Sequence, residues 1–200
     1  IRENFQRNFA LKKLHEVNDN DLILINDLDE IPELKNFSYK KKITIFKQRM
    51  LYFKFNLVYK NLSWTGSKIC KKKDLISPQW LRNIKTRKYP LWRLDIFFSK
   101  KKYNNIEIIE NGGWHFTNIK TADEIHHKMK SFLHHFEYEN SGLNPVMIEK
   151  LIKDKKALYN YNADQRDNKW SNNTELEKIN LEFLPDYINE NLDKYQNWLN

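Results

Sequence analysis

Asp21-Leu22-Ile23-Leu24-Ile25-Asn26-Asp27-Leu28-Asp29-Glu30-Ile31-Pro32 is a short apolar run that ends abruptly in three carboxylates. Leu22 to Ile25 is brief, continuous and rich in Ile and Leu, which predicts a buried strand covered on both faces of an α/β sheet. Pro32 bars simple continuation of the ladder. Asp27 and Asp29 then fall where open α/β sheets bind ligands, outside the carboxyl ends of their strands. An isolated Asp-x-Asp at a strand end also suits a solvated turn. Two carboxylates this close repel each other, however, unless water, an arginine or a divalent cation offsets the charge.

Upstream of this stretch, Ile1 to Val17 reads as an amphipathic helix with Phe5, Phe9 and Leu14 toward the core. A helix followed by a buried strand is half of a βαβ unit. Downstream, Ile43 to Phe46 predicts a strand, and Met50 to Val58 alternates with period two, giving a strand with a core face and a wetter face. Leu62 to Cys70 adds another, and the short links make these neighbours antiparallel, so the sheet is mixed. Ile106 to Ile109 is a further strand that closes at Glu110-Asn111-Gly112-Gly113-Trp114-His115-Phe116, where paired glycines allow a sharp turn or a close approach to a ligand.

Ser77-Pro78 caps a helix over Gln79 to Lys85. Thr121-Ala122-Asp123-Glu124 is a capping box, and the helix it opens is expected to bury Ile125, Met129, Phe132 and Phe136. His126, His127, His134 and His135 have no partner at the i, i+4 spacing that two ligands on one helix face need, so a structural role is expected. Asn144-Pro145 caps another helix, and a last one from Asp186 through residue 200 keeps Ile188, Leu192, Tyr195 and Leu199 on one side. No repeat and no Gly-rich phosphate loop is visible, and the chain reads as one domain over 1–200.

The 200 residues are 40% hydrophobic, with 12 Phe, 10 Tyr and 6 Trp, which excludes a disordered chain despite 30% charged residues. The net charge of +9 favours anionic partners: nucleic acid, phosphate-bearing small molecules or an acidic membrane face. The single cysteine, Cys70, excludes an internal disulfide and a cysteine-built zinc site, and points to a reducing compartment. No apolar run is long enough to span a membrane. Arg82, Lys85, Arg87, Lys88 and Arg93, interleaved with Trp80, Tyr89 and Trp92, suit either nucleic acid, where aromatics stack bases and cations hold phosphates, or a loop that clamps a diphosphate.

Three pieces together resemble glycosyltransferase family 17, whose members include the β-1,4-mannosyl-glycoprotein β-1,4-N-acetylglucosaminyltransferase. They are Arg2-Glu3-Asn4-Phe5-Gln6-Arg7-Asn8, Asn26-Asp27-Leu28-Asp29-Glu30-Ile31-Pro32 and Gly112-Gly113-Trp114-His115-Phe116, in that order and at fitting separations. Leu184-Pro185-Asp186-Tyr187-Ile188 through Trp198-Leu199 is similar to the family's carboxyl end. The resemblance implies an α/β fold of GT-A type, and the first strands of that fold are expected to precede Ile1. It implies an inverting transfer of a sugar, N-acetylglucosamine from UDP-GlcNAc, to a glycan hydroxyl with manganese or magnesium as cofactor. Asp29 is the expected metal ligand, joined by Asp27 and, at a place where related enzymes use one, His115. Arg7, Arg82 and Arg87 are expected at the donor diphosphate, with Arg93 a further candidate, Asp27 alternatively serves the donor through water or the ribose, and Trp114 is a plate for a sugar ring or a core residue. A general base is needed for the acceptor hydroxyl, and Glu30, Glu110 and His115 are the candidates.

Nucleotide-sugar donor and glycan acceptor are thus the expected partners, with no specific nucleic acid. A cytoplasmic location, with peripheral association at the cytoplasmic membrane face, suits the lysine-rich surface. The rival readings are a basic metal-dependent nucleic-acid-binding protein or nuclease, and a glycan-binding remnant without catalysis.

Overall fold

A computed structural model describes residues 2–90, 92–131, 135–163, 169–170 and 174–200. Helix α1 (Arg2–Phe9) runs into a 3-10 stretch (Ala10–Glu16). Strands β1 (Leu22–Ile25), β2 (Glu30–Pro32), β3 (Ile43–Phe46), β4 (Gln48–Tyr52), β5 (Leu57–Trp64) and β6 (Lys68–Lys71) follow. Helix α2 (Pro78–Asn83) leads to β7 (Ile106–Ile109) and β8 (Gly113–Thr117). Next come α3 (Ala122–Lys130), α4 (His135–Asn140), α5 (Pro145–Lys153), β9 (Leu176–Lys178), α6 (Asp186–Asn189) and α7 (Leu192–Tyr195). The fold is mixed α/β. It comprises two compact units, Ile1–Gln48 with Trp64–Gly113, and Arg49–Ser63 with Trp114–Asn200. Among the described residues, no helix is long and apolar enough to cross a membrane.

In the first unit the strand order is β1-β6-β3-β7. β6 is antiparallel to both β1 and β3, and β3 is parallel to β7. It follows that β1, β3 and β7 run in the same direction and end on the same edge of the sheet. The register puts Ile23, Cys70, Ile43 and Ile106 on one face, where Trp80, Leu81 and Ile84 of the α2 segment close the core. Burial pushes the Cys70 thiol up to about 12, with Asp74 adding to the effect, which leaves it an inert core residue.

In the second unit β4 lies between β8, to which it is parallel, and β5, which pairs antiparallel with β9. Both faces of β4 are covered. Met50 and Tyr52 pack with Ile125, Tyr138, Ile148 and Leu151 from α3, α4 and α5, and Leu51 packs with Trp114, Leu184 and Ile188.

Several expectations change here. The alternation from Met50 to Val58 is two strands, because Phe53 adopts φ 64° and the chain turns before Leu57. β1 is the edge strand of its sheet among the described residues and is only partly covered, so the fully buried strand and the βαβ unit do not describe it. Phe5 is 72% and Phe9 53% exposed, since α1 turns polar side chains, Arg7 and Asn8, toward α2 and Asp27 instead. α3 stops at Lys130, and Phe136, on α4, is exposed; Phe132 and His134 lie outside the described residues. The tail from Asp186 is α6, α7 and a final 3-10 turn, not one helix, although Ile188, Leu192, Tyr195 and Leu199 do share one cluster.

These differences make a direct stability contrast. Ile45 is fully buried in the first unit, so Ile45→Ala is expected to cost about 2–5 kcal/mol. Phe5→Ser is expected to stay within about 0.5 kcal/mol, as an exposed substitution should. Urea midpoints of the two variants against the parent chain give the comparison.

Candidate functional site

The acidic stretch after β1 is a turn closed by the Glu30 amide donating to the Asp27 carbonyl at 3.1 Å. Asn26 braces it, its Nδ2 donating to the carbonyls of Asp27 and Glu30 at 2.9 Å each. Leu28 at the tip is fully exposed, and Asp29 beside it is exposed as well. The backbone is therefore that of a turn; its chemistry is set by what meets the three carboxylates.

Glu30 is 1% exposed. Arg82 Nη1 donates to Oε1 at 2.9 Å and to Oε2 at 2.6 Å, and Trp64 Nε1 donates to Oε1 at 2.6 Å. The Asp27 amide adds a bond to Oε2 at 3.0 Å. Burial alone would raise the Glu30 carboxyl. The hydrogen bonds from Arg82, Trp64 and the Asp27 amide overcome that and hold it below its ordinary 4.5. A carboxylate with both oxygens so engaged is a scaffold, and the expectation of Glu30 as a general base is corrected on that ground. Gly66 is what admits it: a Cβ there would sit 1.7 Å from Glu30 Oε1.

Asp27 is held by two guanidinium groups. Arg7 Nη2 donates to Oδ1 at 3.0 Å and Oδ2 at 3.1 Å, and Arg82 Nη2 donates to Oδ2 at 2.7 Å. The Arg7-Asn8 pair also organises α2, with Arg7 Nη1 donating to Gln79 Oε1 at 3.1 Å and Asn8 Oδ1 accepting from the Gln79 amide at 3.2 Å. Ser77 completes that cap by accepting from the Trp80 amide. At the other end of α2, the buried Lys68 Nζ donates to the carbonyls of Arg82 at 2.6 Å and Ile84 at 2.7 Å. Burial and the neighbouring Arg82 bring the Lys68 ammonium down from 10.5 to about 8. Both ends of this six-residue helix are thus tied, and the helix delivers Arg82 to the acidic turn.

A pocket of about 670 Å³ opens over the turn, lined by Gln6, Arg7, Asn26, Asp27, Leu28 and Asp29. Glu110 follows β7 directly at the same sheet edge, three strand spacings or about 14 Å along it. It is exposed and paired with Lys47 Nζ at 2.8 Å.

The remaining candidates have other partners. Arg87 is exposed above the Tyr89 ring, and Arg93 pairs with Asp95, so neither joins Asp27. Trp114 and His115 belong to the second unit. Trp114 packs with Leu51, Leu184 and Ile188, and its Nε1 donates to the Phe183 carbonyl at 2.6 Å, which makes it a core residue and not an open plate for a sugar. His115 is buried on the Met50 and Tyr52 face with Nδ1 3.1 Å from Thr117 Oγ1, the setting of a structural histidine. Gly113, at φ 131°, leaves room for its own chain: a Cβ there would stand 2.2 Å from the Ile31 carbonyl oxygen. The close approach is to the Ile31–Glu33 backbone, which is what the glycine serves. Among the described residues, no group of three or more His, Cys, Asp or Glu converges as a metal site.

Trp64, Gly66, Lys68 and Ser67, whose Oγ donates to Glu30 Oε2 at 3.5 Å, are the site-building residues that sequence reasoning missed. The one signal they carry is a lysine inside the apolar Ile69-Cys70 stretch beside a Trp-x-Gly, which has meaning only once Glu30 is seen in the same place.

Glu30→Gln is expected to cost about 3–5 kcal/mol at neutral pH, because Arg82 is left facing a neutral group in a buried setting. The carboxyl's native value lies below its unfolded one, so its contribution is present above pH 4.5 and fades as pH falls through the native value. Urea titrations from pH 7 to pH 3 should show that slope in the parent chain and a flatter profile in the variant. Gly66→Ala should destabilise the parent strongly and cost much less in a Glu30→Ala background, where no carboxylate occupies the space. Equal costs in the two backgrounds would contradict the packing described. In comparisons with known proteins, no family model, no curated protein and no solved structure matches the chain.

Proposed function

We propose that this chain is an inverting glycosyltransferase of GT-A type that moves N-acetylglucosamine from UDP-GlcNAc to a glycan hydroxyl. The observation that carries the reading is the acidic turn at the strand end. Asp29 is exposed beside Arg7 at an open pocket, while Asp27 and Glu30 are held by arginines from two helices. The order of the Arg7-Asn8, Asp27-x-Asp29 and Gly113-Trp114-His115 segments supports it from the sequence.

The chemistry asks for positive charge at a departing diphosphate. Arg7 supplies some of it from the pocket wall. Asp29 offers hard oxygen donors of the kind manganese and magnesium accept, and magnesium commonly takes only one or two carboxylates, with waters and substrate phosphates as its other ligands. Asp29 would therefore be the residue that holds such an ion, because both Asp27 oxygens already accept from guanidinium groups. When bound, it would offset charge on the leaving diphosphate. Arg7 and Arg82 hold the Asp27 carboxylate in one orientation, so its oxygens are not free to rotate when the donor arrives. Glu110, exposed on the same sheet edge, is the carboxylate that takes the proton from the acceptor hydroxyl as that oxygen attacks the anomeric carbon opposite the diphosphate.

UDP-GlcNAc with manganese should raise the thermal unfolding temperature of the full chain. Asp29→Ala should weaken donor binding by roughly tenfold or more. Glu110→Gln should keep donor binding and lower transfer by about 100-fold or more, measured as UDP release with a glycan acceptor. Donor binding that is the same in EDTA and unchanged by Asp29→Ala would overturn the proposal.

A further inference from the structure

The segment from Lys85 to Lys102 is absorbed by none of the chemistry above. It is a closed loop. The Lys85 amide donates to the Lys101 carbonyl at 2.9 Å, and the indole Nε1 of Trp80 donates to the Lys100 carbonyl at 2.7 Å, so both ends of the loop are pinned beside the α2 core. Within it, successive amides bond three residues back: Arg93 to Pro90, Ile96 to Arg93, Phe97 to Leu94 and Ser99 to Ile96. Asp95 clamps Arg93 through two bonds of 2.8 Å and also takes Lys102 Nζ. The cations of Arg87, Arg93 and Lys102 stand within 5.9 Å of the Tyr89 ring centre.

This internal bonding leaves the large apolar side chains outside. Trp92, Leu94, Phe97 and Phe98 are between 72% and 89% exposed, four such groups within seven residues. Apolar groups concentrated in this way mark contact surfaces. Around them the loop carries seven lysines and arginines and a single carboxylate, Asp95.

We infer that the Lys85–Lys102 loop is a membrane-docking element that seats Trp92, Leu94, Phe97 and Phe98 among the acyl chains of an anionic lipid surface. Its cations meet the headgroups. Charge complementarity selects this occupant, since an aromatic and aliphatic tip gains from hydrocarbon while the cation ring gains from acidic headgroups. Tryptophan suits the boundary, with an apolar ring and one polar edge. A nucleic acid is disfavoured because Arg93 and Lys102 are committed to Asp95, the Tyr89 face is covered by cations, and Leu94 has nothing to stack. A second copy of the chain would bring two sets of seven cations together. The inference is independent of the transferase reading.

Flotation of the full chain with vesicles tests it. Vesicles of phosphatidylcholine containing about one third phosphatidylserine should carry the protein, and pure phosphatidylcholine should carry much less. Phe97→Ser with Phe98→Ser, both exposed, should leave thermal unfolding unchanged and weaken vesicle binding by roughly tenfold or more. Lys100→Glu with Lys101→Glu should weaken it on the acidic vesicles only. Brominated phosphatidylcholine should quench part of the tryptophan fluorescence, and Trp92→Phe should remove that part. Equal flotation of the Phe97→Ser, Phe98→Ser variant would overturn the inference. It would also be overturned by tight oligonucleotide binding that survives this variant without vesicle binding, or by a concentration-dependent dimer that the variant dissolves while vesicles carry neither protein.

Discussion

The buried ion pair between Glu30 and Arg82 is the interaction on which the first unit's site depends. A carboxylate that is 1% exposed is costly to desolvate. Here the cost is met by a guanidinium on both oxygens, an indole N–H and a backbone amide. The space it occupies exists because Gly66 has no side chain. Arg82 then reaches past Glu30 to Asp27, so one guanidinium fixes the first and last carboxylates of the turn together. Removing either partner would strand a charge in the interior, which makes the pair a determinant of turn geometry and not merely a contact.

Arg82 can do this because α2 is held at both ends. A helix of six residues has little stability of its own, since nearly all its backbone groups are terminal. Ser77 and Asn8 satisfy its first amides, and the Lys68 ammonium satisfies its last carbonyls. Arg7, next to Asn8, spans from α2 to Asp27. The result is a division among three neighbouring carboxylates: Glu30 is structural, Asp27 is oriented by two arginines, and Asp29 is exposed at the pocket.

The first unit also shows two opposite uses of polar and apolar groups. At the α1 and α2 contact it is the polar side chains, Arg7, Asn8 and Gln79, that face inward, and Phe5 is left outside. In the Lys85–Lys102 loop, internal ion pairing and turns hold the backbone while the apolar groups project outward. Hydrophobic periodicity reads α1 backwards, because it assumes that apolar residues face the core, and this contact is organised by polar groups.

The sequence alone determined the mixed α/β class, the strand positions at Leu22 to Ile25, Ile43 to Phe46 and Ile106 to Ile109, the caps at Ser77, Thr121 and Asn144, and the acidic turn as the place to look. These are local properties, written in short-range periodicity and in side chains that bond amides two or three residues away. Only the tertiary structure decided which carboxylate is scaffold and which is exposed. Glu30 and Asp29 are adjacent acids in an identical local context. Their difference comes from Trp64, Gly66 and Arg82, which lie 34 to 52 residues further along the chain and meet Glu30 only when the end of β5, the link to β6 and α2 are in place. The same holds for Trp114 and His115, where packing against Leu184 and pairing with Thr117 turned two suggestive residues into core. Burial is a property of the assembled neighbours, and a linear pattern does not carry it.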